Sequence, residues 1–110
     1  MEIKQFDIWL ANLNPSKGTE AGKTRPVIIV QTDLLNTMHL STLICPVTTN
    51  VQPKLEYLRV HLTKGQLDEL SDVLVDQVRA IDNTRLIKRL GRLTQNQQVK
   101  LCDELIPFLL

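Results

Sequence analysis

The cations Lys17, Lys23 and Arg25 surround a loop with glycines at positions 18 and 22, which leads into the apolar run PVIIV. Such a loop can bring backbone N–H groups close to an anion, and cationic side chains strengthen the binding. A buried strand can fix the backbone of Arg25 while its guanidinium, a planar fork of donors, reaches a phosphate. The alternative is a surface ion pair between Arg25 and Glu20 or Asp7.

Polar residues at two other places could add to such a site. Thr48 and Thr49 close the run LICPVTT, and hydroxyls at a strand end can donate to phosphate oxygens, although threonine is also a good strand former. Asp76 and Gln77 interrupt the apolar run VLVDQVRAI, where an unpaired polar group is costly. They must face solvent or bond a specific partner, and Arg25 or Arg79 would suit Asp76.

The sequence predicts no metal site. Its ligand types, Cys45, Cys102, His39 and His61, have no paired spacing, and no CxxC is present. We expect both cysteines to be reduced, buried thiols that act as small hydrophobes. GxSxG, HExxH and paired-carboxylate motifs are also absent, so protease, lipase and glycosidase functions have no support.

Length and charge place these residues in one soluble domain spanning residues 1–110. A net charge of +1 argues against a nonspecific nucleic-acid coat protein, although a basic patch on one face is compatible with it. The start MEIKQFDIWL lacks the apolar run of a signal peptide, and no segment is long enough to cross a bilayer. We therefore expect a cytoplasmic protein without membrane contact.

The elements that must position these residues are five predicted strands followed by a helix. Strand patterns cover residues 6–10, 25–31, 41–48, 56–62 and 73–81, with helical turns or loops at 34–40 and 65–70. From residue 83 onward the pattern is helical. Thr94 can cap a helix with Val99, Cys102 and Ile106 along one stripe and Leu101 and Leu105 beside it, which Pro107 should end or kink. This order predicts an α+β fold, a small antiparallel barrel or curled sheet with a terminal helix.

In order and spacing, three segments resemble the MazF/PemK family of bacterial toxins, which are sequence-selective mRNA endoribonucleases. They are DIWLANLNPSKGTEAGKTRPVIIV, CPVTTN and DQVRAID, and the resemblance extends over residues 6–109. It implies a curled five-stranded antiparallel SH3-like barrel with short helices and a C-terminal helix, usually a homodimer. It also implies no metal or other cofactor, and a small cognate antitoxin, often with an acidic, partly disordered segment.

The resemblance further implies attack of the ribose 2′-OH on the adjacent phosphate of single-stranded RNA, which leaves a 2′,3′-cyclic phosphate and a 5′-OH. The catalytic arginine falls on Arg25 and the catalytic threonine on Thr48. Some relatives use an acid at the position of Asp76 together with an arginine two residues earlier, where this chain has Leu74. The carry-over therefore favours Arg25 and Thr48 over Asp76 as the catalytic pair.

The proton acceptor for the 2′-OH stays open, because an arginine with a pKa above ~12 is a poor base at pH 7. Glu20 is the best local candidate by residue type. RNA contacts are expected from Lys17, Lys23, Thr49, Asp76, Gln77 and Arg79. Two other functions fit the same fold: a gyrase-poisoning toxin of the CcdB type, and a non-catalytic barrel that binds RNA or a peptide.

Overall fold

A computed structural model describes residues 2–15, 18 and 22–109 of the chain. In these residues there are seven strands and two α-helices. The strands are β1 (Asp7–Asn12), β2 (Thr24–Ile29), β3 (Ser41–Thr48), β4 (Arg59–His61), β5 (Asp72–Leu74), β6 (Arg79–Asp82) and β7 (Leu86–Arg92). The helices are α1 (Asp33–Asn36) and α2 (Gln95–Leu109). The expected antiparallel α+β class with a C-terminal helix is confirmed.

The longest strand, β3, organises the sheet. All ladders are antiparallel, and the strand order is β4-β5-β3-β2-β1-β7. The first half of β3 pairs with β6, and its last residues, Val47 and Thr48, pair with β5. The end of β3 is thus held between β5 on one side and the ladder to β2 on the other, which positions Thr48.

The central strands are buried on both faces. Ile8, Ile28 and Cys45 pack into one apolar cluster beneath α2, while Trp9 and Val27 belong to a second cluster on the opposite face. This two-sided burial explains why β2 is a continuous apolar run rather than an alternating one. It confirms that interpretation of the PVIIV segment.

The sheet has seven strands rather than five because two segments behave differently from their patterns. Residues 73–81 do not form one strand, since a 3-10 turn at Val75–Gln77 separates β5 from β6. Residues 86–92 are a strand and not the helix predicted from residue 83 onward. In this edge strand β7, two register shifts against β1 break the alternation by which a strand is recognised.

Helix α2 begins with the predicted cap. The Thr94 hydroxyl accepts from the Gln97 amide at 3.2 Å, and the Gln97 side chain accepts from the Thr94 amide at 2.9 Å, which is a capping box. The expected stripe is wrong: Val99 and Ile106 are about half exposed, whereas Gln97 and Leu101 are buried. The helix also extends past Pro107 to Leu109, so the proline lies in its last turn.

None of the helices among the described residues is long and apolar enough to cross a membrane.

Candidate active site

Arg25 is held in place by the backbone around it. Its Nε donates to the carbonyl of Gly22 at 2.7 Å and its Nη1 to the carbonyl of Val47 at 3.3 Å. These bonds link the entry of β2 to the end of β3 and fix the guanidinium plane, and a guanidinium has five N–H donors in all. The expected alternative partner Asp7 instead contacts Arg89 and Arg92, at 3.2 and 3.0 Å.

Thr48 ends β3 on the same side of the fold. The β2–β3 ladder ends with Val27 paired to Pro46, and beyond it the Arg25 guanidinium reaches the carbonyl of Val47, the residue before Thr48. The Thr48 hydroxyl oxygen accepts a hydrogen bond from the Asn50 amide at 3.1 Å. A hydroxyl that accepts at its oxygen keeps its own proton to donate elsewhere. Thr49 follows and is exposed.

The two side chains lie at an open cleft of about 700 Å³. One part of its lining is cationic: Lys23, Arg25 and Lys88. Another part is polar and acidic, formed by the segment before β5: Gln66, Asp68, Glu69 and Ser71. The remaining lining includes apolar side chains: Leu10, Pro26, Val47, Leu67 and Leu90. A cleft with cations on one wall and acceptors on another suits a ligand that has an anionic backbone and donor groups.

The loop that brings Lys23 to the cleft is anchored at its end. Lys23 has a positive φ of 68°, which is uncommon for a residue other than glycine. Its amide donates to the Asn14 side chain at 2.7 Å and its carbonyl accepts from the Leu13 amide at 2.9 Å. Two predicted site residues of this loop, Lys17 and Glu20, lie outside the described residues.

The predicted site residues Asp76, Gln77 and Arg79 do not line this cleft. They lie on the 3-10 turn and at the start of β6, where Arg79 is paired with Ile44 near the middle of β3. The structure therefore brings Lys23, Arg25, Thr48 and Thr49 together at the cleft, and the three predicted residues of DQVRAID are not part of its lining.

Sequence reasoning missed the cleft residues Lys88, Asp68 and Glu69. Lys88 was missed with β7, and its only sequence signal is its spacing by two from Leu90, which lines the same cleft. Asp68 and Glu69 are exposed residues of the 65–70 segment, and nothing in their spacing separates them from an ordinary solvated turn.

The cysteines are unpaired, but the expectation that both are buried is confirmed for Cys45 and wrong for Cys102. Both are free, and burial together with nearby Asp76 raises the pKa of the Cys45 thiol to about 12, so Cys45 stays protonated and packs as a small apolar group. Cys102 is only partly buried. Across the described ranges, no group of three or more His, Cys, Asp or Glu side chains is placed to hold a metal ion.

This arrangement can bind and stabilise a phosphate. A fixed guanidinium and a hydroxyl donor across one strand pair are the groups that stabilise charge on a pentacoordinate phosphorus. Lys23 and Lys88 add positive charge to the lining, which can bind further phosphates, and the carboxylates of Asp68 and Glu69 can accept protons or bind amino groups.

Comparison with known proteins gives consistent matches over nearly the whole chain. A family profile described as PemK-like, MazF-like toxin of type II toxin-antitoxin system matches residues 4–109. Endoribonuclease MazF of Staphylococcus epidermidis is 30% identical over 105 residues, covering 94% of this chain and 88% of that protein.

Two solved structures share the fold. MazF (Form-I) from Deinococcus radiodurans superimposes with a TM-score of 0.85 at 23% identity, covering 99% of this chain and 97% of that chain. An endoribonuclease in complex with its cognate antitoxin, from a mycobacterial species, gives a TM-score of 0.79 at 17% identity, covering 97% of this chain and 94% of that chain.

Proposed function

Because the chain belongs to the PemK-like, MazF-like toxins of type II toxin–antitoxin systems, we propose that it is an endoribonuclease that cleaves single-stranded mRNA in the cytoplasm. The observation that carries this proposal is the pairing of a backbone-fixed Arg25 with Thr48 at a cleft lined by Lys23 and Lys88. Single-stranded RNA suits an open cleft because its unpaired bases are accessible to side chains.

In the proposed reaction the ribose 2′-OH attacks the adjacent phosphorus. The O2′–P bond forms, the P–O5′ bond breaks, and the products are a 2′,3′-cyclic phosphate and a 5′-OH. The 2′-OH proton passes to a base, and the departing O5′ takes up a proton. Since the nucleophile belongs to the substrate, no metal-activated water is required. Arg25 stabilises the charge on the phosphoryl oxygens, and the Thr48 hydroxyl donates to one of them.

The remaining role in the proposed reaction is that of the base that accepts the 2′-OH proton. Glu20 remains the proposed acceptor from the glycine-bearing loop, and Asp68 or Glu69 on the described wall could take the same role. Among the proposed RNA contacts, Lys23 and Thr49 line the cleft, whereas Lys17 lies outside the described residues. Contacts to Asp76, Gln77 or Arg79 need RNA that extends beyond the cleft.

We also propose a homodimer. Leu34, Met38 and Leu40 are 81%, 74% and 85% exposed, and Leu43 on β3 is 42% exposed. An exposed group of large apolar side chains is typical of a protein interface, and a second copy of the chain is the simplest partner for it. The mass in solution, measured by light scattering, tests this proposal.

The proposed regulatory partner is a cognate antitoxin with an acidic segment. The cations Lys23, Arg25 and Lys88 that would bind RNA phosphates would also bind carboxylates of such a segment. A peptide that occupies the cleft would compete with RNA, so an acidic peptide added to the cleavage assay described below should lower the cleavage rate, and an unchanged rate would contradict binding at the cleft.

Cleavage of a long single-stranded RNA in the presence of EDTA tests the proposed function. We expect cuts at discrete sites, products whose 5′ ends a polynucleotide kinase labels without prior phosphatase, and under about a hundredth of the activity for Arg25→Ala, in line with the loss of an oxyanion-stabilising donor. The matched control is Arg89→Ala, which removes an arginine that contacts Asp7 and does not line the cleft.

Intact RNA across a broad set of sequences would contradict the proposal. Growth arrest with trapped gyrase would then favour a gyrase poison, and RNA binding without cleavage would favour a non-catalytic barrel. Equal activity of wild type and Arg25→Ala would contradict the role of Arg25.

A further inference from the structure

The segment after Thr48 turns tightly, and three successive backbone amides in it each donate a hydrogen bond. The Asn50 amide donates to the Thr48 hydroxyl at 3.1 Å, and the Val51 amide to the Thr49 carbonyl at 2.9 Å. The Gln52 amide then donates to Asp72 Oδ2 at 3.0 Å. The direction of the Thr48 hydroxyl therefore depends on where residues 49–52 are held.

Asp72 anchors this turn from the neighbouring strand. Its side chain is fully buried, and it is paired with Thr48 in the β3–β5 ladder. Besides the Gln52 amide it accepts from Arg59 Nη1 at 3.0 Å and from His61 Nδ1 at 2.7 Å. Burial alone would raise the pKa of Asp72, but these three donors outweigh it and lower the pKa.

Arg59 connects the buried carboxylate to the turn directly. The same Nη1 that donates to Asp72 also donates to the Asn50 carbonyl at 3.1 Å. Asn50 is thus held at both ends of its backbone, by Arg59 at its carbonyl and by the Thr48 hydroxyl at its amide. Neither Arg59 nor Asp72 lines the cleft.

We propose that Arg59 and Asp72 are positioning residues that hold the 49–52 turn so that the Thr48 hydroxyl presents its proton to the phosphate beside Arg25. The inference rests on the proposed nuclease function. A hydroxyl can rotate through several staggered positions, and a bond accepted from a fixed Asn50 amide selects among them. Loosening that amide lets Thr48 turn away without removing any group that contacts RNA.

The test is a double-mutant cycle of Arg59→Met and Thr48→Val under single-turnover conditions. Arg59→Met should lower the cleavage rate about 10- to 100-fold, the loss typical of a displaced reactive group, and leave the Kd for a 2′-deoxy substrate within about twofold. In the Thr48→Val background, where no hydroxyl remains to position, Arg59→Met should have no further effect.

Arg92→Met is the matched control. Arg92 Nη1 donates to the buried Asp7 at 3.0 Å and to the Gln5 carbonyl at 3.0 Å, the same combination of a buried carboxylate and a backbone oxygen, at β7 rather than beside Thr48. It should weaken the fold without changing the cleavage rate at a temperature where the protein stays folded. Amide hydrogen exchange adds a readout besides activity: Arg59→Met should speed exchange at Asn50 and Gln52, and Arg92→Met should not.

The inference is overturned if Arg59→Met leaves the cleavage rate unchanged, or if it lowers the rate by the same factor in the Thr48→Val background as in wild type. In either case, cleavage by the wild type leaves the proposed function standing. If the wild type cleaves no RNA, the proposed function fails instead. Unchanged exchange at Asn50 and Gln52 in Arg59→Met also overturns the inference, independently of activity.

Discussion

Replacement of Gln97 by methionine should destabilise the protein far more than the same change at Gln98, its neighbour in α2. Gln97 is buried, and its side chain bonds the Thr94 amide at 2.9 Å and the His61 carbonyl at 3.2 Å. It also forms a reciprocal amide pair with Gln66, with distances of 2.7 and 2.8 Å. Gln98 is partly buried and bonds only the Leu93 carbonyl among the contacts described, at 3.1 Å.

The magnitude follows from the groups that Gln97→Met leaves behind. Methionine keeps the volume but strands the Thr94 amide and the His61 carbonyl, at roughly 1–1.5 kcal/mol each, while partly exposed Gln66 can turn to water. We expect a loss of about 2–3 kcal/mol in the free energy of unfolding. An unfolding entropy of ~2.1 cal/mol/K per residue over 110 residues makes each kcal/mol worth about 4 °C, so Tm should fall by about 9–13 °C.

Thermal unfolding followed by circular dichroism and by Trp9 fluorescence measures this difference, and coincidence of the two curves checks two-state behaviour. Gln98→Met should lower Tm by no more than about 4 °C, since it loses one partly exposed bond. A fall in Tm of the same size in both variants would refute the reasoning, because it would show that the Gln97 network adds nothing to an ordinary helix position.

Two further predictions follow from the shifted pKa values. Because hydrogen bonds hold the pKa of Asp72 below its unfolded value of about 3.9, its stabilisation is complete above that pH and is lost as the pH falls through the folded pKa. In urea unfolding, the free energy of unfolding of wild type should therefore exceed that of Asp72→Asn clearly at pH 7 and by less at pH 3. A difference that is the same at both pH values would contradict the assigned charge of Asp72. Burial raises the pKa of the Cys45 thiol to about 12, so iodoacetamide at pH 8.5 should modify the native protein at Cys102 and modify Cys45 only in urea. Mass spectrometry measures which cysteine is modified. Modification of Cys45 in the native protein would contradict its burial.

Local features of this protein were readable from the sequence because local rules produce them. The run Val27–Ile29 is buried on both faces, as a continuous β-branched segment predicts, and β3 has the predicted bounds of Ser41–Thr48. The cap at Thr94 is a local interaction between residues three apart, so Thr94 could be predicted as a cap, although the helical pattern expected from residue 83 was wrong over β7. The grouping of Arg25 with Thr48 was also available, but through resemblance to a family rather than through spacing.

The tertiary structure decided which distant residues share the cleft. The β2–β3 ladder brings Arg25 and Thr48 to the same cleft, and β7 supplies Lys88 although the register shifts in its pairing with β1 made the strand hard to predict. A 3-10 turn divided the segment that holds Asp76, so its polar residues lie away from the cleft.

The proposed positioning role of Asp72 could not be predicted from the sequence for the same reason. Its isolated carboxylate looks like an ordinary solvated residue, because burial and its three donors come from strands and turns that only the folded sheet brings together. The sequence alone determined that Arg25 lies at the start of a buried strand. Only the fold determined what faces it, since strand register and long-range hydrogen bonds are set by packing across the whole sheet.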